Sequence, residues 1–409
     1  MQPPPLLPRA SAARLDQLLH VFPVVVLTGA RQTGKSTLVR QPDVTGERLY
    51  LTLDDVLLRE QAKRDPESLL SRAHRLALDE VQRVPDLLLA VKQAVDDRSE
   101  RGQFVLTGSA NLLLMERISE SLAGRAGYVT LWPLTRREQL GLASAGAWSE
   151  LLAEKARNWP DVLNAQVAPD EPWEELAQRG GYPVPAYALS SPSQRRDWFD
   201  GYTLTYLERD FRQLSAIENL ADLRRLMTAL TLRVGKLLNQ ADVARDLALP
   251  TSTVNRYINL LEVSYQLVRV PAYSVNRTKR LVKAPKVFWS DTGLALHLAG
   301  SPEPAGAQLE NLVATDLHAW TALQNEPVSV LYWRTVSGAE VDFVVETPRC
   351  VLPVEVKAAR KVGLDDARHL ETFLDEYQDR AAAALLMYTG EETFWLTKRV
   401  LAVPWSRVI

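Results

Sequence analysis

Two groups of residues in this 409-residue sequence have the types and spacing to do chemistry. The first is Gly29-Ala30-Arg31-Gln32-Thr33-Gly34-Lys35-Ser36-Thr37, the pattern G-x-x-x-x-G-K-[ST], directly after the apolar, β-branched run VVVL at 24–27. The glycines let backbone N–H groups turn inward around phosphate oxygens, and a helix N-terminus just beyond adds a favourable dipole. In such a loop Lys35 reaches the β- and γ-phosphates and Ser36 holds Mg²⁺. The second group is the stretch 340–357, EVDFVVETPRCVLPVEVK. Folded as two strands about a turn at 347–350, it pairs Val341 with Val356, Phe343 with Val354 and Val345 with Leu352, giving one apolar face. On the other face Asp342 meets Glu355, and Glu340 meets Lys357. Like charges directly opposite destabilise a sheet. A divalent ion shared by Asp342 and Glu355 would turn that repulsion into coordination. Lys357, two residues on, would then lower the pKa of an attacking water or stabilise a pentavalent phosphate. Glu310, on the amphipathic segment QLENLVATDLHAW, would complete the metal shell. The plain alternative is a solvated charged face with a Glu340–Lys357 cross-strand pair.

The elements that must position the first group follow it. RLALDE (75–80) reads as a buried strand ending in acid, with Asp79 orienting the Mg²⁺ shell and Glu80 polarising the attacking water. An aspartate there also suits a helix N-cap. A further strand at 104–106 ends in Thr107-Gly108-Ser109-Ala110-Asn111. Polar groups at the carboxyl ends of parallel strands face the ligand crevice, so Ser109 either senses the γ-phosphate or forms a turn. LYLTLDD (49–55) reads as a second strand, and its Asp54 and Asp55 also suit a helix start. Arg125, on the glycine-rich bend of SLAGRAGYVTLWPL, has the charge to stabilise a transferred phosphoryl group, in cis or from a neighbouring subunit, or is a surface residue.

TGARQTGKSTL, LDEVQRVPDLL, LTGSANLLL and SLAGR together resemble a large prokaryotic family of AAA+-related P-loop ATPases. GGYP (180–183), YLERD (206–210), LVKAPKVFWSDTGLALHL (281–298) and LENLV (309–313) resemble the C-terminal region of its members, so the resemblance spans nearly the whole chain. It implies an AAA+-like parallel-sheet domain and ATP rather than GTP. After residue 305 the order helix–strand–strand–helix–strand, with D…ExK on the hairpin, resembles the restriction-endonuclease-like PD-(D/E)xK nucleases.

Between these ends, residues 141–172 read as an alanine-rich helical extension of the ATPase, and 195–235 as helical with Tyr202, Tyr206, Phe211, Leu223, Leu226 and Leu230 inside. Residues 239–270 read as a helix-turn-helix: a helix at 241–247, a turn ending in Pro250, and a second helix capped by Thr251 or Ser252. Val254, Tyr257, Ile258 and Leu261 share its inner face, and strand-like segments follow as in a winged helix. From Val263 to Ser290 there is no acid but six cations, Arg269, Arg277, Lys279, Arg280, Lys283 and Lys286. Such a run suits contacts to DNA or RNA phosphates, and equally a protein-interaction or solvated face.

Composition sets the outer bounds. A hydrophobic share of 46%, a charged share of 24% and a net charge of −2 are those of a soluble globular protein. No run approaches the roughly 18 apolar residues of a membrane span, and the N-terminus has no signal-peptide core. The single cysteine, Cys350, excludes an internal disulfide and fits a reducing cytoplasm; the five histidines show no zinc spacing. With the Pro/Gly stretch GSPEPAGA (300–307) as a linker, the expectation is an α/β chain of three domains. They are a P-loop AAA+-like domain (1–170), a helical and winged-helix domain (171–304) and a restriction-endonuclease-like domain (305–409). ATP and Mg²⁺ are the expected cofactors, with a monomer or homo-oligomer left open. Either nucleotide state controls a nuclease acting on DNA or RNA, or the chain is an ATP-dependent switch that binds a partner without cutting.

Overall fold

The computed structural model describes residues 6–98, 100–108, 121–207, 219–276, 278, 280, 283–301 and 303–409. Five short apolar runs, β1 (Val24–Thr28), β2 (Leu49–Thr52), β3 (Leu76–Asp79), β4 (Phe104–Thr107) and β5 (Ala126–Thr130), pair in parallel throughout. β1, β3 and β4 are buried at every position, as strands covered on both faces must be. Alternate residues of β1 serve opposite cores: Val24 and Val26 pack with Leu69, Leu78 and Val91, while Val25 and Leu27 pack with Leu15, Leu38 and Val105. The strand order is β2-β3-β4-β1-β5. β1 therefore lies inside the sheet, and the loop leaving its carboxyl end opens into the crevice where ligands of such sheets bind.

In the middle of the chain, helices Leu220–Thr231, Gln240–Leu247 and Thr251–Val263 precede an antiparallel ribbon of β6 (Leu267–Val270) and β7 (Lys286–Trp289). Tyr202, Leu223, Leu226, Leu230, Val254, Tyr257, Ile258 and Leu261 are buried, as their spacing predicts. Phe211 and the side chain of Tyr206 lie outside the described residues. The expected Thr251 or Ser252 cap is absent: Thr251 is already helical, and Pro250 stands at the cap position.

The C-terminal part holds a mixed sheet in the order β12-β13-β11-β10-β9-β8, from β8 (Ser329–Arg334), β9 (Glu340–Glu346), β10 (Val351–Lys357), β11 (Ala384–Tyr388), β12 (Phe394–Trp395) and β13 (Val400–Pro404). The hairpin register is the one alternation predicts, with Phe343 opposite Val354 and Val345 opposite Leu352. β8 was not read from the sequence, and its pairing with β9 shifts register between Leu331 and Trp333. Such a shift sends a side chain to the other face. Val341 accordingly packs with Val344 against the helix Leu364–Glu376, whereas Phe343, Val345, Val354 and Val356 face the helix Gly306–Thr321.

The middle and C-terminal parts share one core. Residues continuing from β6 add to the edge of β8, with Tyr332 N–H donating to Pro271 O at 2.9 Å. This covers an edge that would otherwise be open to pairing. Asn311 brackets Trp289, donating to its carbonyl and accepting from its N–H at 2.8 Å each. The extension expected to belong to the ATPase packs elsewhere: Trp148, Leu151, Trp159 and Leu163 join Leu317, Leu401 and Trp405. An amphipathic pattern fixes which face of a helix is buried but not against what.

Gly146 N–H and Trp148 Nε1–H both donate to Asp316 Oδ1, at 2.9 and 2.6 Å, fastening that extension to the helix Gly306–Thr321. Asp316 Oδ2 is buried without a hydrogen-bond partner among the described residues, and burial lifts the carboxyl to about 6. The unfolded carboxyl ionises near about 3.9, so stability falls as pH rises from about 4 to about 6 and is level above. Asp316→Asn keeps an oxygen for both bonds and carries no charge. Its stability from chemical denaturation should lack that decline, worth up to about 3 kcal/mol. An unchanged pH slope would contradict the assignment.

Candidate functional site

The loop after β1 takes its shape from its smallest residues. Gly29 has φ +137°, and a Cβ there would lie 2.3 Å from Leu131 O, so only glycine fits. Gly34 (φ +99°) opens the helix Lys35–Val39. Lys35 Nζ donates to the carbonyls of Gly29 (3.0 Å) and Ala30 (2.6 Å), and Thr33 Oγ1 donates to Ala30 O at 3.0 Å. Arg9 adds a bond to Thr33 O at 2.7 Å. Arg31, Gln32, Ser36 and Thr37 line the cleft above.

Ser36 Oγ donates to Asp79 Oδ1 at 3.1 Å, joining the two expected Mg²⁺ ligands. Asp79 is no helix cap: its other partners are the hydroxyls of Thr107 and Tyr50. Glu80 stands beside it in the left-handed region (φ +59°), its N–H donating to Thr107 Oγ1 at 3.2 Å. Burial pushes the Glu80 carboxyl up, with Lys35 and Arg31 pulling it back, a balance suited to receiving a proton from water. Asp55 caps the next helix, accepting from Leu57 and Leu58 N–H, and Asp54 pairs with Arg83. Sequence reasoning missed Thr107 and Tyr50. Thr107 ends its strand and so has a signal in the sequence; Ser109, the expected residue, lies outside the described residues.

Arg125 is not brought to this loop. It immediately precedes β5, its carbonyl accepting from Val24 N–H, and so stands at the amino ends of strands whose carboxyl ends carry the loop. Its guanidinium pairs with Asp96.

The cleft over the loop encloses about 590 Å³, within the ordinary range of small-molecule sites. Lys35, Ser36 and Glu80 form one wall, and Pro183, Val184 and Trp198 of the middle part form another. The same part also bonds the loop and the strand before it. Tyr265 Oη donates to Thr28 Oγ1 at 2.9 Å, and Tyr202 Oη lies 3.5 Å from Arg31 O. Tyr202 also bonds Tyr182 (2.9 Å) and accepts from Gln266 Nε2 (3.2 Å), while Gln266 O accepts from Ser290 N–H at the end of β7.

Two of the expected nucleic-acid residues, Arg280 and Lys286, are turned inward. Lys286 is 1% exposed on β7, its Nζ paired with Glu340 (2.6 Å) and Asp342 (3.0 Å). Arg280 holds Glu346 through Nη1 and Nη2, and Arg269 pairs with Glu262. Lys283 is exposed; Arg277 and Lys279 lie outside the described residues. A stretch without acids finds its acids on other elements, which a local charge count does not see.

The hairpin carboxylates do gather, but not as a metal shell. Asp342 accepts from Lys286 on one oxygen and from Val356 N–H (3.0 Å) on the other. Lys357 Nζ pairs with Glu355 Oε1 at 2.7 Å rather than with Glu340. Glu310 approaches from its helix, 2.8 Å from where a Cβ on Gly235 would be. Burial first, and the charge of Asp342 second, push Glu310 and Glu355 upward. Glu355 Oε2 is buried without a hydrogen-bond partner among the described residues, a donor of the kind a cation takes. Yet no three Asp, Glu, His or Cys groups converge on one point among the described residues. Both oxygens of Asp342 are already engaged. So arranged, Glu310, Asp342 and Glu355 do not fit a shared divalent ion.

Residues 21–140 match the family described as AAA domain, residues 170–305 a domain of unknown function (DUF8612), and residues 305–408 another (DUF4143). Uncharacterized protein Rv2008c of Mycobacterium tuberculosis is 31% identical over 409 residues, covering 98% of this chain and 84% of that one. A Haemophilus influenzae protein is 23% identical over 382 residues, 87% of each chain. Among solved structures, the Walker-type ATPase paby2304 of Pyrococcus abyssi aligns with 72% of this chain and 98% of that one, at 18% identity and a TM-score of 0.46. By the match of residues 21–140 to the AAA family the P-loop domain is ATPase-like, and no helix among the described residues is long and apolar enough to cross a membrane.

Arg280→Ala leaves the Glu346 carboxylate, 8% exposed, with Arg380 as its remaining ion-pair partner, and should cost roughly 1 kcal/mol of stability in chemical denaturation. Its affinity for DNA or RNA oligonucleotides in a gel-shift titration should be unchanged. Lost affinity at unchanged stability would put Arg280 back on a binding face.

Proposed function

This chain belongs to the family that includes the Mycobacterium tuberculosis protein Rv2008c, and we propose that it is an ATP-hydrolysing switch whose nucleotide state is read by its middle and C-terminal parts. One observation carries the reading: the cleft over the P-loop has one wall from the ATPase sheet and another from Pro183, Val184 and Trp198. A ligand filling it touches both parts, so a change at its phosphate end alters a contact between them.

In this reading the loop's N–H groups hold the phosphates and Lys35 exchanges its carbonyl partners for phosphate oxygens. Ser36 and Asp79, oxygen donors already 3.1 Å apart, fit a hard divalent ion. Bound there, Mg²⁺ would neutralise charge on the β- and γ-phosphate oxygens. Thr107 and Tyr50 fix the carboxylate of Asp79, and Glu80 orients the attacking water and takes its proton. The apolar wall takes the base end; ATP over GTP rests on the family resemblance.

For the C-terminal part, the engagement of Asp342 by Lys286 supports binding of a partner without cutting. A second reading, cleavage of DNA or RNA by Asp342, Glu355 and Lys357, draws support from the Lys357–Glu355 pair and the orphaned Glu355 oxygen. It requires Asp342 to leave Lys286.

Lys35→Ala should abolish the thermal stabilisation given by ATP and Mg²⁺; an unchanged shift would contradict the loop's role. Glu80→Gln should keep that stabilisation and slow phosphate release about 100-fold or more, and a fully active variant would remove Glu80 from the mechanism. Turnover indifferent to added DNA or RNA is expected of the switch, and strong stimulation of the second reading.

A further inference from the structure

The family resemblance leads to a divalent ion among the hairpin carboxylates, and the geometry provides a lysine instead. Four carboxylates gather there, from Glu310, Glu340, Asp342 and Glu355, and Lys286 and Lys357 face them. The two lysines differ in origin. Lys357 belongs to the hairpin itself, two residues from Glu355. Lys286 comes from β7, across the boundary with the middle part, and reaches both Glu340 and Asp342.

We propose that Lys286 is a resident counter-cation, an ammonium that the middle part inserts into the carboxylate cluster in place of a divalent ion. Its hold on that position is structural. Val270 of β6 pairs with it, Gly235 N–H bonds to Val287 O at 2.9 Å, and Leu238 N–H bonds to Pro285 O at 2.7 Å. Phe288 packs on Phe343 with ring centroids 5.4 Å apart, and Asn311 brackets Trp289. Lys286 is 1% exposed on a strand held along both edges, so the ammonium is enclosed where it stands. While it stays, the charge of Asp342 is met by an ammonium, and any ion at the orphaned Glu355 Oε2 meets a fixed positive charge nearby. β7 ends at Trp289, and the next residue, Ser290, bonds to Gln266 and through it to Tyr202 beside the P-loop. A link from nucleotide to lysine rests on the switch reading; the counter-cation role does not.

The test uses the full chain without nucleotide, so its outcome is separate from that of the ATPase. Acylation by an N-hydroxysuccinimide ester, mapped by mass spectrometry, should find Lys286 slower than the exposed Lys283 by about ten-fold or more. Asp342→Asn should speed Lys286 specifically. Manganese titration followed by water-proton relaxation should detect a site in Lys286→Met about ten-fold tighter than any in the native chain, and lost again in the Lys286→Met, Asp342→Asn double variant. Equal Mn²⁺ affinity in native and folded Lys286→Met protein would overturn the proposal. Should Lys286→Met not fold, labelling decides alone: Lys286 reacting as fast as Lys283, or unaffected by Asp342→Asn, would equally overturn it.

Discussion

A phosphate-binding loop must leave its amides turned toward the ligand, so whatever fixes its shape has to hold it from behind. Here part of that hold comes from more than a hundred residues away in sequence. Tyr265 reaches Thr28 at the end of β1, and Tyr202 lies against the carbonyl of Arg31. The loop's geometry and the seat of the middle part therefore depend on each other. The cleft over the loop is walled by both.

The middle part is in turn continuous with the C-terminal sheet. One core runs through both, the chain after β6 covers the edge of β8, and Asn311 bonds Trp289 in both directions. A boundary near residue 305 is visible in composition, through its prolines and glycines. The packing crosses it, and Lys286 is the sharpest instance: a residue of one part neutralises the acids of the next. Linker composition reports where a chain is exposed, and cores can close over it.

What was legible in the sequence was what depends on near neighbours along the chain. The G-x-x-x-x-G-K-S loop, the acids ending β3 and the helix-turn-helix core are all written within a few residues of one another. The hairpin register was legible too, because alternation and turn position constrain each other. The failures share a cause. Val341 changes face because β8, from outside the hairpin, shifts the register. Arg280 and Lys286 read as a basic face because Glu346, Glu340 and Asp342 lie more than fifty residues further on. The extension around Trp148 reads as part of the ATPase because its partner, Asp316, belongs to a distant helix. Thr107 and Tyr50 were missed because a hydroxyl acquires its role only from the carboxylate it meets, here Asp79.

In the proposed switch the state of the nucleotide reaches the C-terminal sheet through the middle part. Hydrogen–deuterium exchange of the full chain, with Glu80→Gln used to hold ATP and Mg²⁺ in place, measures this directly. The account predicts altered protection in three places: the loop after β1, residues 182–202, and the β6–β7 ribbon with the hairpin it touches. Changes confined to residues 21–140, with the ribbon and hairpin exchanging identically with and without ATP, would contradict it.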